Sequence, residues 1–256
     1  MRKRIGALLT FALFIGCFFG ALLSFGGMEL SPYPMGDSDV PTESLDISTV
    51  MSASSVEQNR PTVILDAGHG GEDGGAVSQS GAAEKSLNLS IALTLGDMLS
   101  SCGVDVIYTR TDDNGLYDGA VAGHRKMTDL KNRLAVRRAY PDALFLSIHM
   151  NTFSDPRCHG MQVFYSDNDP TSKELAECLR QANRTYLQTD NSRAVKAADA
   201  SIYLLDRAEG TAVLAECGFL SNPTEAAHLM TAEYREQTAA VLCVGILNYI
   251  KEYCAP

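Results

Sequence analysis

Six short apolar runs constrain this chain more than any other feature. Thr62–Asp66, Val104–Thr109, Ala143–Ile148, Gly160–Tyr165, Ser201–Leu205 and Ala212–Ala215 each read as a strand. Several lack the strict apolar–polar alternation of a sheet with one wet face, as expected of strands covered on both sides. Helical periods fall between them. Leu87, Ile91, Leu95, Met98 and Leu99 mark one face of a helix that stops at Gly103. Leu130, Leu134 and Val136 suggest a second helix, Leu175, Leu179 and Ala182 a third, and a last one is expected from about Ala232 to Tyr253. Strands alternating with helices imply an α/β fold: a single domain with a mostly parallel, roughly six-stranded sheet flanked by helices.

The N-terminus has a different texture. Met1-Arg-Lys-Arg4 is a basic cap, followed by an uncharged stretch from Ile5 to about Met28. Roughly 20 apolar residues suffice to span a bilayer as a helix. With the positive end kept inside, the rest of the chain lies outside the cytoplasm. A cleaved signal peptide is the competing reading and would make the protein secreted. Its apolar region is usually shorter, about 7–15 residues, and ends in a small-x-small site that is not evident here. Residues 1–28 are therefore read as an N-terminal apolar helix serving as membrane anchor or signal segment. Residues 29–60, with Pro32, Pro34, Pro41 and many Ser, Asp and Glu, read as a flexible linker. Residues 61–256 remain for the domain, a length that supports one sizeable core.

Composition narrows the function classes. At 45% hydrophobic and 20% charged the chain is globular in character. A net charge of -10, with no Lys/Arg run interleaved with aromatics, argues against a nucleic-acid partner. Seven cysteines contain no CxxC pair, so a thiolate zinc site has no support, and their pairing cannot be read from one sequence.

Three polar residues stand out by position. His69 follows Val-Ile-Leu-Asp-Ala-Gly, His149 follows Leu-Phe-Leu-Ser-Ile, and Glu216 follows Ala-Val-Leu-Ala. Each sits at the carboxyl end of an apolar strand, the edge where open α/β sheets bind ligands. Groups far apart in sequence can converge there. Gly68, Gly70, Gly71, Gly74 and Gly75 surround His69, but neither GxxxxGK[ST] nor a GxGxxG opening a helix is present. The glycines instead suit a sharp turn that leaves the imidazole accessible. Glu84 falls just before the helix that begins near Leu87. It either favours that helix's dipole or supplies a carboxylate to the same edge. Two imidazoles and a carboxylate are a common catalytic zinc set with a fourth position for water, whose pKa falls from about 15.7 to about 7. A carboxylate off the metal then carries the proton. Glu216 is placed for that work, or pairs with a cation at its strand end.

Asp66-Ala-Gly-His69-Gly-Gly, Glu84-Lys, Thr109-Arg110, Arg133, Ser147-Ile-His149-Met-Asn151 and Glu216-Cys-Gly-Phe-Leu-Ser-Asn222 together resemble the zinc-dependent N-acetylmuramoyl-L-alanine amidases. The likeness runs from about Thr62 to Tyr253 with the elements in the family's order. It implies zinc held by His69, Glu84 and His149, and Glu216 as the catalytic glutamate. It implies cleavage of the amide between N-acetylmuramic acid and L-alanine, with a peptidoglycan glycan strand and its stem peptide as substrate. Within the family, the short anchored form resembles the spore-cortex (germination-specific) amidases. Supporting segments are His124-Arg-Lys-Met-Thr-Asp-Leu130, Gly160-Met-Gln-Val-Phe-Tyr165 and Ala200-Ser-Ile-Tyr-Leu-Leu205. That subtype implies a role in cortex maturation that leads to muramic δ-lactam. Whether a protein partner activates the enzyme stays open.

Cys217 departs from the small or aliphatic residue usual beside the catalytic glutamate. Alternation along a strand turns it away from Glu216, which disfavours a cysteine peptidase. Asn151 either bonds substrate or holds its loop. Arg133 either meets a substrate carboxylate or lies as a solvated helix charge. Arg110 is expected to pair with Asp66 or another acid at the sheet edge. His124, His159 and His228 lie in polar stretches and read as surface residues. Two other functions compete: a zinc peptidase acting within the stem peptide, and a non-catalytic wall-binding protein.

Overall fold

A computed structural model describes residues 60–254 apart from Ala122. The expected apolar helix over 1–28 and the linker over 29–60, save Arg60, lie outside the described residues. Among those described, no helix is long and apolar enough to cross a membrane.

The domain is α/β, as the strand–helix alternation predicts. β1 (Thr62–Ala67), β2 (Asp105–Tyr108), β3 (Leu144–Asn151), β4 (Gln162–Tyr165), β5 (Lys196–Ala197) and β6 (Ala212–Phe219) form one sheet in the order β2-β1-β3-β6-β4-β5. β2, β1, β3 and β6 run parallel to their neighbours, so their carboxyl ends share one edge. β4 returns antiparallel on the far side of β6. Register places Asp66 beside Ser147 and His149 beside Glu216.

Five of the six expected strands form. The sixth, Ser201–Leu205, does not. Asp199 accepts from the backbone N–H and hydroxyl of Ser201, a local bond that bends the chain instead of extending it. Leu204 and Leu205 are buried from a short helix, α4 (Tyr203–Arg207). The edge strand beyond β4 is instead the two-residue β5.

The remaining helices are α1 (Glu84–Ser101), α2 (Arg125–Ala139), α3 (Thr171–Tyr186), α5 (Pro223–Leu229) and α6 (Ala232–Tyr249), which runs on into a π-helical turn, Ile250–Cys254. α5 has no apolar period of useful length, but Asn222 caps it by accepting from the Glu225 N–H, with proline in its first turn. The strand alternation sorts the two faces. Val63, Leu65, Leu146, Ile148, Val213 and Ala215 face a large apolar cluster with α1, α3 and α6. Ile64, Phe145 and Leu214 face a smaller one with Leu134 of α2 and Leu204 and Leu205 of α4. Continuing that alternation puts Asp66, Ser147, His149 and Glu216 on the second face, at its carboxyl edge. Cys217 falls on the first, fully buried in the apolar cluster.

Candidate metal centre

Two strand ends and one helix start build the site. β1 runs out at Ala67, and the chain turns so tightly that His69 adopts φ +63, the single non-glycine in the left-handed region among the described residues. That backbone costs an L-residue about 1–2 kcal/mol and persists where its surroundings hold it. Gly68 explains the turn's closeness: a Cβ there would lie 2.2 Å from the Nε2 and Cε1 of His149. At Gly75 (φ +67) a Cβ would strike Glu84 Oε2 at 2.6 Å and His69 Cδ2 at 2.7 Å. The glycine run thus clears space for the three side chains to meet.

Glu84 is the first residue of α1 and is 3% exposed. Its oxygens do not cap its own helix. Oε1 lies 3.0 Å from His149 Nδ1 and accepts from the Met150 N–H at 2.9 Å. Oε2 lies 3.3 Å from His69 Nε2 and accepts from the Ala76 N–H at 2.8 Å. Two backbone donors from different segments, one to each oxygen, therefore fix the carboxylate beside the imidazoles. The His69 and His149 rings stand edge-to-face, 4.9 Å apart between centroids. One ligand atom from each of His69, Glu84 and His149 lies within 4.8 Å of the others.

The charges respond to this packing. Burial alone would raise the Glu84 pKa, but the bonds to His149 and His69 outweigh it and hold the carboxyl well below its ordinary range. Burial pulls His69 down, while Glu84 and Asp73 together raise it above the ordinary imidazole value. Asp73 Oδ2 sits 2.9 Å from His69 Nδ1, which directs Nε2 into the site. Glu216 behaves oppositely to Glu84. Burial pushes it up to about 7, with the Glu84 charge adding to the effect and the imidazoles opposing it. Its Oε2 is buried without a hydrogen-bond partner.

These residues fit a divalent metal of the zinc class. Two imidazole nitrogens and a carboxylate oxygen are a hard-to-borderline donor set. The orphaned Glu216 oxygen beside them is what a group awaiting water or substrate at such a centre looks like. All three expected ligand residues and Glu216 come together.

Other expectations fare differently. Arg133 is not a solvated helix charge. It is 2% exposed and its guanidinium is occupied: Nη1 donates to Asp66 Oδ1 and Ala67 O, Nη2 to His69 O, and Nε to Asp129. Arg110 does not pair with Asp66. It donates to the carbonyls of Ala67, Gly68, Lys85 and Asp112. The two outcomes share a cause: the sharp turn after β1 leaves the carbonyls of Ala67, Gly68 and His69 facing inward, where the two guanidinium groups reach them. Asp66, 0% exposed, also accepts from Ser147 and Thr109. Burial would raise its pKa, but Arg133 and the two hydroxyls keep it below the carboxylate norm. Asn151 Oδ1 accepts from the Thr152 N–H, holding its own loop. His124, His159 and His228 are exposed. The Cys217 thiol is pushed up strongly by burial and bonds only to Ala215 O, far from nucleophile chemistry. Sequence reasoning missed Asp73, Asn88 and Asp129. Asn88, which donates to Gly68 O, lies one helical turn beyond Glu84, the only signal it carried.

A family profile described as N-acetylmuramoyl-L-alanine amidase matches residues 63–248. The chain is 33% identical over 192 residues to the germination-specific N-acetylmuramoyl-L-alanine amidase of Bacillus subtilis strain 168, across 74% of this chain and 80% of that protein. It is similar to the solved CwlD amidase from Clostridioides difficile, in complex with the GerS lipoprotein. That match has a TM-score of 0.72 and 38% identity, over 75% of this chain and 99% of the other. The amidase AmiC2 of Nostoc punctiforme matches with a TM-score of 0.65 and 28% identity, over 75% and 98% of the respective chains.

Proposed function

This chain belongs to the N-acetylmuramoyl-L-alanine amidase family, and from that premise we propose a zinc enzyme whose metal is held by His69, Glu84 and His149, with Glu216 as proton carrier. The observation that carries the reading is the meeting of three ligand atoms within 4.8 Å beside a buried, unpartnered Glu216 oxygen. Zinc in such a set supplies Lewis acidity toward the amide carbonyl and acidifies water. The chain's own residues do the rest. Glu84, locked by Met150 and Ala76, holds its carboxylate toward the space that the two imidazole nitrogens also face. Glu216, held up to about 7, takes a proton from water and returns it to the departing L-alanine nitrogen. Asn151, two residues past His149 at the end of β3, is assigned to substrate binding through the NH2 of its side-chain amide, its oxygen being engaged by Thr152.

The substrate is peptidoglycan, cut between N-acetylmuramic acid and L-alanine. The likeness to a germination-specific relative and to CwlD supports placing the reaction in spore-cortex maturation, on the route to muramic δ-lactam. That the CwlD structure is a complex with a lipoprotein supports a protein partner for this chain too. The basic cap and apolar stretch over 1–28, followed by the linker over 29–60, support a membrane-tethered domain at 61–256, outside the cytoplasm.

Elemental analysis and product mass spectrometry test this together. The full chain should carry about one zinc per molecule, and His69→Ala or His149→Ala should lose it. Digested peptidoglycan should release intact stem peptides with a free L-alanine amine. Unchanged zinc in both variants would remove the ligand assignment. Cuts within the stem peptide would make the enzyme a peptidase.

A further inference from the structure

We propose that Arg133 is a positioning residue for the metal: its guanidinium fixes the backbone of the ligand His69 and so sets metal affinity without touching the metal. The inference rests on His69 being a ligand, as proposed above.

The case begins with the backbone. His69 is held in the left-handed region, and such a residue slides back to an ordinary conformation unless its peptide groups are tied. Its own N–H side is fixed through Gly68, whose N–H donates to Ile148 O at 3.1 Å. Its carbonyl side is fixed by Arg133, where Nη2 donates to His69 O at 2.6 Å. The same guanidinium reaches Ala67 O through Nη1 at 2.7 Å, so one planar group spans both ends of the turn. Arg110 adds Ala67 O and Gly68 O at 2.8 and 2.9 Å. Three successive carbonyls, 67 to 69, therefore each meet an arginine.

The guanidinium is in turn pinned. Nη1 meets Asp66 Oδ1 at 2.7 Å and Nε meets Asp129 Oδ2 at 2.6 Å, while Asp66 is itself braced by Ser147 and Thr109. Lysine cannot replace this: one ammonium has three donors and no plane, and cannot serve four acceptors spread along a fork.

Arg137 supplies an internal control. It sits one helical turn further along α2, is equally buried at 2% exposure, and also donates to backbone carbonyls, those of Tyr140 and Pro141. Those carbonyls belong to the turn after α2 and none belongs to the site. If burial of an arginine on α2 matters only for packing, the two positions should behave alike.

The test compares Arg133→Lys, Arg137→Lys and His69→Ala in the full chain, reading zinc dissociation by competition with a chromogenic chelator and the melting midpoint of the metal-free protein. Both lysine variants should melt lower. Only Arg133→Lys should weaken zinc, by about 10–100-fold, the range typical of outer supports of a ligand. Asp129→Asn, which loosens the guanidinium without removing it, should weaken zinc several-fold and serves if Arg133→Lys does not fold. Wild-type zinc affinity in Arg133→Lys or Asp129→Asn, or equal losses at Arg133 and Arg137, overturns the proposal. Undiminished zinc in His69→Ala would instead overturn the ligand assignment beneath it.

Discussion

The two faces of the sheet bury different kinds of side chain. Against α1, α3 and α6 a large apolar cluster runs from Val63 and Ile91 through Leu179 to Leu242 and Ile246. Apart from Glu84 at the sheet edge, the polar side chains those helices bury (Asn88, Ser172, Asn183 and Thr238) are uncharged. Against α2 and α4 a smaller apolar cluster shares the space with Asp66, Arg133, Arg137 and Ser147, all buried. The first face is where burial of hydrocarbon supplies stability. The second converts buried charge into orientation, because Asp66 and Arg133 are matched there by hydrogen bonds that fix direction as well as energy. The metal centre lies at the carboxyl edge of the sheet, where His149 and Glu216 of the second face meet Glu84 reaching in from α1. Its precision is therefore separable, in part, from the stability of the domain.

Removing the proton carrier should break the second face's function and spare the first. Glu216→Ala is expected to lower muropeptide cleavage by about 10²–10⁴-fold, the usual worth of positioned proton transfer. Zinc content by elemental analysis should not change. Loss of zinc in this variant would mean that Glu216 helps to hold the metal.

The converse substitution lies across the sheet. Ile91 of α1 is fully buried in the large apolar cluster, and truncation leaves a cavity where helix and sheet meet. Ile91→Ala should cost about 2–5 kcal/mol in urea unfolding. The folded fraction should still bind zinc with wild-type affinity. A matching loss of zinc affinity would show that the two faces are not separable.

These faces were unequally legible. Runs such as Val63–Leu65 and Leu144–Leu146 announce strands, and the polar residues that end them mark a sheet edge, so His69, His149 and Glu216 could be placed from sequence. Glu84 could not, apart from family likeness. Its position depends on the Ala76 and Met150 N–H groups meeting it from two different segments, which no period encodes. Arg133 misled for a related reason. A cation among polar helix residues looks solvated, and its burial depends on Asp66, Asp129 and the inward carbonyls of a left-handed turn. β5 has two residues, too few for any pattern. Ser201–Leu205 looked like a strand because a short buried helix and a short buried strand share an apolar composition.

Ionisation offers a finer probe of the second face. Glu216 is held up to about 7 against an ordinary 4.5, so the folded metal-free protein binds that proton more tightly than the unfolded chain. The site's contribution to stability is full below about 4.5 and fades as pH rises toward 7, by up to about 3 kcal/mol. Glu84 and Asp66 shift the other way and lose their contributions only as pH falls below their ordinary values, 4.5 and 3.8. Glu216→Gln removes the proton but keeps the shape. The unfolding free energy of the metal-free variant, minus that of wild type, should therefore grow between pH 4.5 and 7. His69, also raised, is present in both proteins and largely cancels. A difference that does not vary with pH would mean that Glu216 ionises normally.

The smallest expected effect tests whether the apolar face can be trimmed without reaching the site at all. α6 is capped by Thr231, whose hydroxyl accepts from the Tyr234 N–H at 3.2 Å, and the helix then packs along α1 and α3. Thr231→Ala leaves that donor to water and removes no buried methyl group from the core, so the cost should be that of an N-cap, about 1 kcal/mol. The midpoint of urea unfolding should fall with its slope unchanged, since the surface exposed on unfolding is the same. Zinc affinity and turnover should both stay at wild-type values, because the cap lies on the α6 side while His69 is tied from α2. A parallel drop in zinc affinity would show that α6 helps to hold the turn after β1, and that the buried charges of the second face do not suffice to orient the metal ligands.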